Sequence, residues 1–309
     1  MLCRFLLLVV TFSVAFSGGF SLPSATAKDY WLYYLGGQSN MDGFGYVRDL
    51  PAEEQTPVHD VLIFHGSEGL DGQPIAGQGL WTTLKPGHGF GFRSDGLTNA
   101  YSDRFGVELS FARRLRELYP DRPIAILKYS RGGTSIDQRA AGNFGCWEPD
   151  FQAGEGDGKG INQYDHCLAA IRNAHAVTDL DGDGTADRLI PAGILWMQGE
   201  SDAMYGEEVA GDYQSNLKRL IDLLRAALRT DDLPVAIGRI SDSRQNPEKK
   251  VWTHGEIIRQ AQADFCGTDA AAALVTSTDN YSYSDPWHYD SAGYLDLGRK
   301  FAEALQTLD

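Results

Sequence analysis

Cysteine is scarce in this sequence, four among 309 residues, and no CxxC pair or Cys/His cluster is present. Nothing therefore points to a zinc or dithiol redox centre. Long apolar runs are missing beyond the N-terminus, so no later segment reaches the roughly 20 residues of a membrane-spanning helix. Positive charge is sparse: 27 Lys and Arg stand against 42 Asp and Glu, a formal net charge of −15. No Lys/Arg-rich block interrupts it, and long-range repulsion opposes an encounter with nucleic acid or an anionic membrane. No Pro/Ser-rich linker and no internal repeat divides the chain, whose length suits one substantial α/β domain.

What is present begins with a leader. Arg4 gives a positive start, Phe5 to Phe16 form an apolar run too short to span a bilayer, and Ala25-Thr26-Ala27 offers small residues to a signal peptidase. Residues 1–27 are expected to be a cleaved signal peptide and residues 28–309 one domain, secreted or periplasmic. Gly18, Gly19 and Pro23 interrupt the run and argue against an uncleaved anchor; Cys3 precedes it, the wrong side for a lipoprotein. Export means an oxidising compartment. Cys146, Cys167 and Cys266 then remain, so at most one internal bridge forms. Cys146 with Cys167 is the expected pair on nearness in sequence, and free thiols are the alternative.

Five apolar, β-rich runs stand out: Tyr30–Leu35, Ile124–Tyr129, Ala192–Met197, Val235–Ile240 and Ala272–Thr276. Continuous runs of this kind read as parallel strands covered on both faces. Helical stripes lie between them, over Phe105–Leu118, Ile161–Ala174, Tyr213–Leu228, Gly255–Phe265 and Ala292–Leu305. The alternation predicts a doubly wound parallel sheet with helices on both faces. Two Gly-rich stretches, about Asp49–Asn99 (with an extra strand suggested at Val61–His65) and Arg139–Gly160, read as elaborated loops over the sheet edge, where binding residues collect.

Four strand ends carry polar residues. Gly36-Gly37-Gln38-Ser39-Asn40-Met41 follows the first strand, where open α/β sheets place ligands; alone, Ser39 and Asn40 would read as a helix cap. Ser130-Arg131-Gly132-Gly133-Thr134 follows the second, its paired glycines letting backbone N–H groups approach a substrate. Gln198-Gly199-Glu200-Ser201-Asp202 follows the third, with an amide able to donate into the same crevice. Asp285-Pro286-Trp287-His288 follows the fifth, an acid and an imidazole within one turn. An aspartate on one ring nitrogen would aim the other at a serine hydroxyl.

These segments resemble the SGNH hydrolases, and within them the sialate O-acetylesterase-like type that includes acetylxylan esterases of carbohydrate esterase family six. The likeness runs from about Tyr30 to Leu305 and also takes in Phe105-Gly106-Val107-Glu108-Leu109. It implies a three-layer α/β/α, flavodoxin-like fold with a five-stranded parallel sheet. It implies a triad of Ser39, His288 and Asp285, with an oxyanion hole from the Ser39 N–H, a Gly132 or Gly133 N–H and the Gln198 side chain. Glu200 would support Gln198 or assist the histidine. The expected activity is removal of O-acetyl groups from carbohydrate through an acetyl-serine, with no organic cofactor or catalytic metal. Acetylated xylan is the leading substrate and O-acetylated sialate the next; a non-catalytic, calcium-stabilised carbohydrate-binding protein is the alternative from another class. The negative charge mildly favours neutral polysaccharide, although a local patch such as Arg131 with Arg139 could overrule it. Trp81, Phe90, Phe92 and Trp147 are candidates for stacking on sugar rings, or for core packing.

A separate run, Asp179-Leu180-Asp181-Gly182-Asp183-Gly184-Thr185-Ala186-Asp187, matches the first nine positions of an EF-hand-type calcium loop. Asp179, Asp181, Asp183 and Asp187 would give side-chain oxygens and Thr185 its carbonyl to a structural Ca2+. The usual Glu at position twelve is absent, Ile190 standing there.

Overall fold

A strand forms wherever the apolar runs fall, and all of them join one sheet. The computed structural model describes residues 26–152, 161–244 and 250–308; the expected leader, up to residue 25, lies outside the described residues. The strands of this main sheet are β1 (Asp29–Gly37), β2 (Val61–His65), β3 (Trp81–Thr83), β4 (Ile124–Ser130), β5 (Arg188–Met197), β6 (Val235–Gly238) and β7 (Ala272–Val275). Their order across the sheet is β7-β6-β5-β1-β4-β2-β3. Within it the five expected strands keep the order β4-β1-β5-β6-β7, which is the flavodoxin-like 2-1-3-4-5 arrangement.

The sheet is larger than the five strands expected. The run Val61–His65 is buried throughout and pairs parallel with β4, and the three-residue β3 closes that edge antiparallel to β2. Strand β5 also begins earlier than Ala192, since its register on β1 shifts beside Pro191. A bulge there accommodates a residue that has no N–H for the ladder.

Seven helices flank these strands: α1 (Ser39–Asp42), α2 (Glu108–Leu118), α3 (Gln163–Ala176), α4 (Glu200–Tyr205), α5 (Glu207–Ala227), α6 (Gly255–Thr268) and α7 (Ser291–Gln306). Successive side chains of a strand point to opposite faces, and β1 shows which helices lie where. The Tyr33 ring meets Phe111 of α2 edge-on at 5.3 Å. Next to it, Tyr34 meets the Cys167 thiol of α3, at 3.1 Å. Helix α7 packs beside α2, and α5 beside α6, giving the three-layer α/β/α domain.

The expected Cys146–Cys167 bridge does not form. Cys146 sits in the loop before α3 with its sulfur accepting the Glu148 N–H at 3.2 Å, whereas Cys167 points from α3 to Tyr34. Cys146, Cys167 and Cys266 are all free. Burial pushes each thiol up to about 12, which leaves them unreactive. Lys128 is the exception within the apolar β4: fully buried, its Nζ donates to Glu108 Oε2, Asp42 O and His88 O, each at 2.8 Å.

Candidate active site

The loops that leave β1, β4 and β5 and the one before α7 converge at the C-terminal rim of the sheet. Gly37, φ +138°, turns the chain across the end of β5, where any Cβ would lie 2.0 Å from Met197 O. Gln38 N–H then bonds Met197 O at 2.9 Å, and Ser39 opens the single turn α1. The first N–H groups of a helix have no partner within it, so the Ser39 N–H is directed outward from that turn. Gly132 lies directly alongside, for a methyl group on it would sit 3.2 Å from Ser39 Cβ.

The Asp285–His288 turn is held from within. Asp285 Oδ1 accepts the N–H groups of Trp287 and His288, each at 2.8 Å, and its Oδ2 meets His288 Nδ1 at 2.7 Å. Phe44 stacks flat on the imidazole with centroids 3.6 Å apart. Burial raises the Asp285 carboxyl, but the His288 and backbone hydrogen bonds outweigh it and hold it below the usual range. Burial also depresses His288, and the Asp285 carboxylate only partly offsets this, so the ring is neutral at neutral pH. With Nδ1 on the carboxylate, the tautomer leaves Nε2 as the basic nitrogen.

Ser39 and His288 line one cavity of about 360 Å3 with Gln38, Gly132 and Gly133. Phe44, Phe90, Phe144, Met204, Trp252 and Trp287 make most of its wall apolar. Asn40 ties the two sides together. Its Nδ2 donates to Glu200 Oε1 at 2.8 Å and to Trp287 O at 3.2 Å, while its Oδ1 accepts from Tyr294 OH at 2.8 Å. The residue after Ser39 is thus bonded to the residue before His288.

Three of the expected roles change. Gln198 is fully buried and is not part of the cavity wall. Its Nε2 donates to Asp202 Oδ2 at 2.7 Å and Thr134 O at 3.0 Å, and its Oε1 accepts from Tyr213 OH at 2.9 Å. Both amide hydrogens are used inside the protein. Gln38 stands in front of it, with Oε1 facing the N–H groups of Gly199 and Ser201. Glu200 accepts from Asn40 and, among the described residues, has no hydrogen bond to Gln198 or His288; burial raises its carboxyl. Gly132 N–H is committed to Asp42 Oδ2 at 2.7 Å, which leaves Gly133, φ +74°, as the glycine whose N–H has no acceptor among the described residues.

Nothing in the sequence singles out Asp42. It is buried, accepts from Ser130 Oγ as well as from Gly132, and burial pushes it up to about 6. Asp202, which takes Gln198 Nε2 and the N–H groups of Ile136 and Asp137, is pushed by burial to about 7. Of the aromatic candidates, Phe90 is on the cavity wall, whereas Trp147 is core, edge-on to Trp196 at 5.1 Å. Trp81 packs on Phe64 and donates to Ala174 O. Arg131 and Arg139 form no free positive patch: the first is paired with Glu68, the second with Asp137, Glu208 and Asp212.

In the acidic loop, Asp179, Asp181 and Asp187 bring one oxygen each within 4.8 Å of one another. Asp183 stands apart from that group; it and Asp181 take the Lys28 ammonium. Asp187 Oδ1 accepts the Lys28 backbone N–H at 3.0 Å. Asp179 accepts the N–H groups of Gly182, Asp183 and Gly184. Hard carboxylate oxygens in this spacing suit calcium.

A family model described as carbohydrate esterase, sialic acid-specific acetylesterase, matches residues 29–307. No curated protein matches the chain in sequence. Among solved structures, a protein from Arabidopsis thaliana is similar at 19% identity and a TM-score of 0.61, over 90% of this chain and 98% of that one. A carbohydrate acetylesterase from Xanthomonas citri is similar at 17% identity and a TM-score of 0.58, over 90% of this chain and 56% of that one. This chain therefore spans little more than half of that protein. The protein NanS is similar at 16% identity and a TM-score of 0.56, over 92% and 98% of the two chains. At these identities the likeness establishes the shared fold.

Proposed function

Because the chain belongs to the carbohydrate esterase, sialic acid-specific acetylesterase family, and is thereby a carboxylic ester hydrolase, we propose that Ser39 removes O-acetyl groups from carbohydrate with His288 as base and Asp285 as its orienting acid. The observation that carries this reading is His288 held at Nδ1 by Asp285 at 2.7 Å and lining one cavity with Ser39.

His288 Nε2 takes the Ser39 proton as Oγ attacks the acetyl carbonyl. The oxyanion that forms is met by the N–H groups of Ser39 and Gly133, with the Gln38 amide as the side-chain donor in place of Gln198. Each such donor is worth about 3 kcal/mol of barrier. His288 then protonates the departing sugar hydroxyl, and water, activated by the same ring, hydrolyses the acetyl-enzyme. The Asp285 carboxylate stabilises the imidazolium in both halves.

Acetylated xylan is the leading substrate, supported by the net charge of −15; O-acetylated sialate comes second, supported by the family's description. Acetate release from a chromogenic acetyl ester, acetylated xylan and O-acetylated sialoglycan, by wild type and Ser39→Ala, tests both points. The variant should fall to the uncatalysed background. Equal rates for the two proteins would overturn the assignment and favour a carbohydrate-binding role.

Residues 1–27 act as a cleaved leader, so the exported chain should begin at Lys28, which N-terminal sequencing would check. The acidic loop takes a structural Ca2+ through Asp179, Asp181 and Asp187, with Asp183 released from Lys28. Calcium should then raise the melting temperature over that in chelator, and Asp179→Asn should abolish the difference; no difference in wild type would remove the metal from the account.

A further inference from the structure

Beside the cavity at Ser39 lies a larger one of about 580 Å3, within the roughly 300–1,000 Å3 of small-molecule sites. Arg131 is the residue common to both walls. Its N–H donates to Gly37 O at 3.0 Å, which fixes it two residues from Ser39. Its guanidinium is paired with Glu68, on the wall of the larger cavity, and lies 4.3 Å from the ring centre of Phe144, on the wall of the smaller. An ion pair and a ring face together hold a planar cation in one orientation. The two spaces therefore meet at a rigid, hydrogen-bonding junction.

The lining of the larger cavity has a mixed chemistry. Leu70, Ile75 and Phe92 provide apolar surface, and Phe92 is held flat against His65 at 4.3 Å. Arg93 and Thr98 add hydrogen-bonding groups, and the charges balance: Arg93 and Arg131 against Glu68 and Asp95. An acyl chain would be poorly served by paired ions, and a polyanion would need surplus positive charge. A pyranose, with an apolar face and a rim of hydroxyl groups, matches both kinds of surface.

We propose that this cavity is a glycan subsite, holding neutral sugar residues that flank the acetylated one, with Arg131 bonding hydroxyl groups at the junction. The proposal rests on the esterase reading but is tested apart from it, by substrate length. Acetate release is measured on acetylated xylose and on acetylated xylo-oligosaccharides of increasing length. Wild type should show KM falling about tenfold with length, the size of one charge-assisted hydrogen bond. Arg93→Ala should shrink that advantage and Ala100→Trp, at an exposed position of the wall, should remove it, with melting temperatures confirming that both fold. As a readout free of catalysis, Ser39→Ala should bind deacetylated xylo-oligosaccharide in calorimetry, and the double variant with Ala100→Trp should not. Loss of all acetate release by wild type would strike the esterase reading. Acetate release with a KM independent of length, or a length advantage that survives both variants, would overturn the subsite alone. An advantage confined to O-acetylated sialyl-oligosaccharides would overturn its assignment to neutral sugar.

Discussion

The Asp42 carboxylate accepts the Gly132 backbone N–H at 2.7 Å, and so fastens the turn that carries Ser39 to the glycine loop after β4. The second carboxylate oxygen takes Ser130 Oγ from the same loop. Removing this clasp should leave substrate binding largely intact while displacing the Gly133 N–H from the forming oxyanion. Asp42→Ala is expected to lower kcat by about 10²-fold, the cost of a displacement near 1 Å, with KM little changed. Steady-state kinetics on a chromogenic acetyl ester checks this; a fall in KM's favour instead of kcat's would assign Asp42 to binding.

Acid should inactivate the enzyme in a limb below the ordinary histidine value. His288 acts as a base only when neutral, and burial sets its pKa under 6.5, so kcat/KM rises with pH below 6.5 and is level above neutrality. Asp42, pushed up to about 6, titrates in the same window, which should make the limb steeper than one proton. Asp42→Asn should return it to a single-proton slope. A pH profile on wild type and variant decides.

Gln198→Ala distinguishes an internal strut from an oxyanion donor. Deleting the amide removes the hydrogen bonds it makes to Asp202 and Thr134 O and accepts from Tyr213, while Tyr213 OH keeps the Gln198 backbone carbonyl and Asp202 keeps two backbone N–H groups, so a net loss of about 1 kcal/mol per bond is expected. Urea unfolding should therefore register the loss. A fully stable variant with kcat down by 10²–10³, the signature of a lost oxyanion donor, would instead restore Gln198 to that role.

Gly133→Ala should be costly twice over. At φ +74° an L-residue carries about 1–2 kcal/mol of strain, and its Cβ would lie 2.8 Å from the Phe144 ring. A modest drop in melting temperature and a larger drop in kcat are expected. Unchanged kcat would show that the Gly133 N–H does not face the reacting carbonyl.

Lys128→Met leaves Glu108 charged and unpaired in the interior, which should destabilise the fold by about 3–5 kcal/mol. Adding Glu108→Leu should restore much of that. If the double variant is folded yet slow, the Lys128 bond to Asp42 O matters for the nucleophile's turn and not only for stability.

Continuous apolar runs carried the five expected strands, and apolar stripes their flanking helices. Val61–His65 stood out as apolar inside a Gly-rich stretch, but Trp81–Thr83 is an edge of three residues with no period to read. The site was legible as four polar strand ends and illegible in its finer roles. Gln38 and Gln198 both follow strands, and only the packing of Tyr213 and Asp202 around one of them reveals which is turned inward. Asp42 reads as an ordinary surface acid until Ser130 and Gly132, some ninety residues on, are seen to fold over it. The Cys146–Cys167 pairing failed because nearness along the chain says nothing about direction: one thiol faces a loop, the other the sheet.

The Asn40 amide has a consequence for how this scaffold can vary. Because it grips the main chain at Trp287 instead of a side chain, the base-bearing segment docks by a feature every residue possesses. The side chain at position 287, half exposed on the cavity wall, could then be exchanged and the wall reshaped while the neighbouring His288 stays docked.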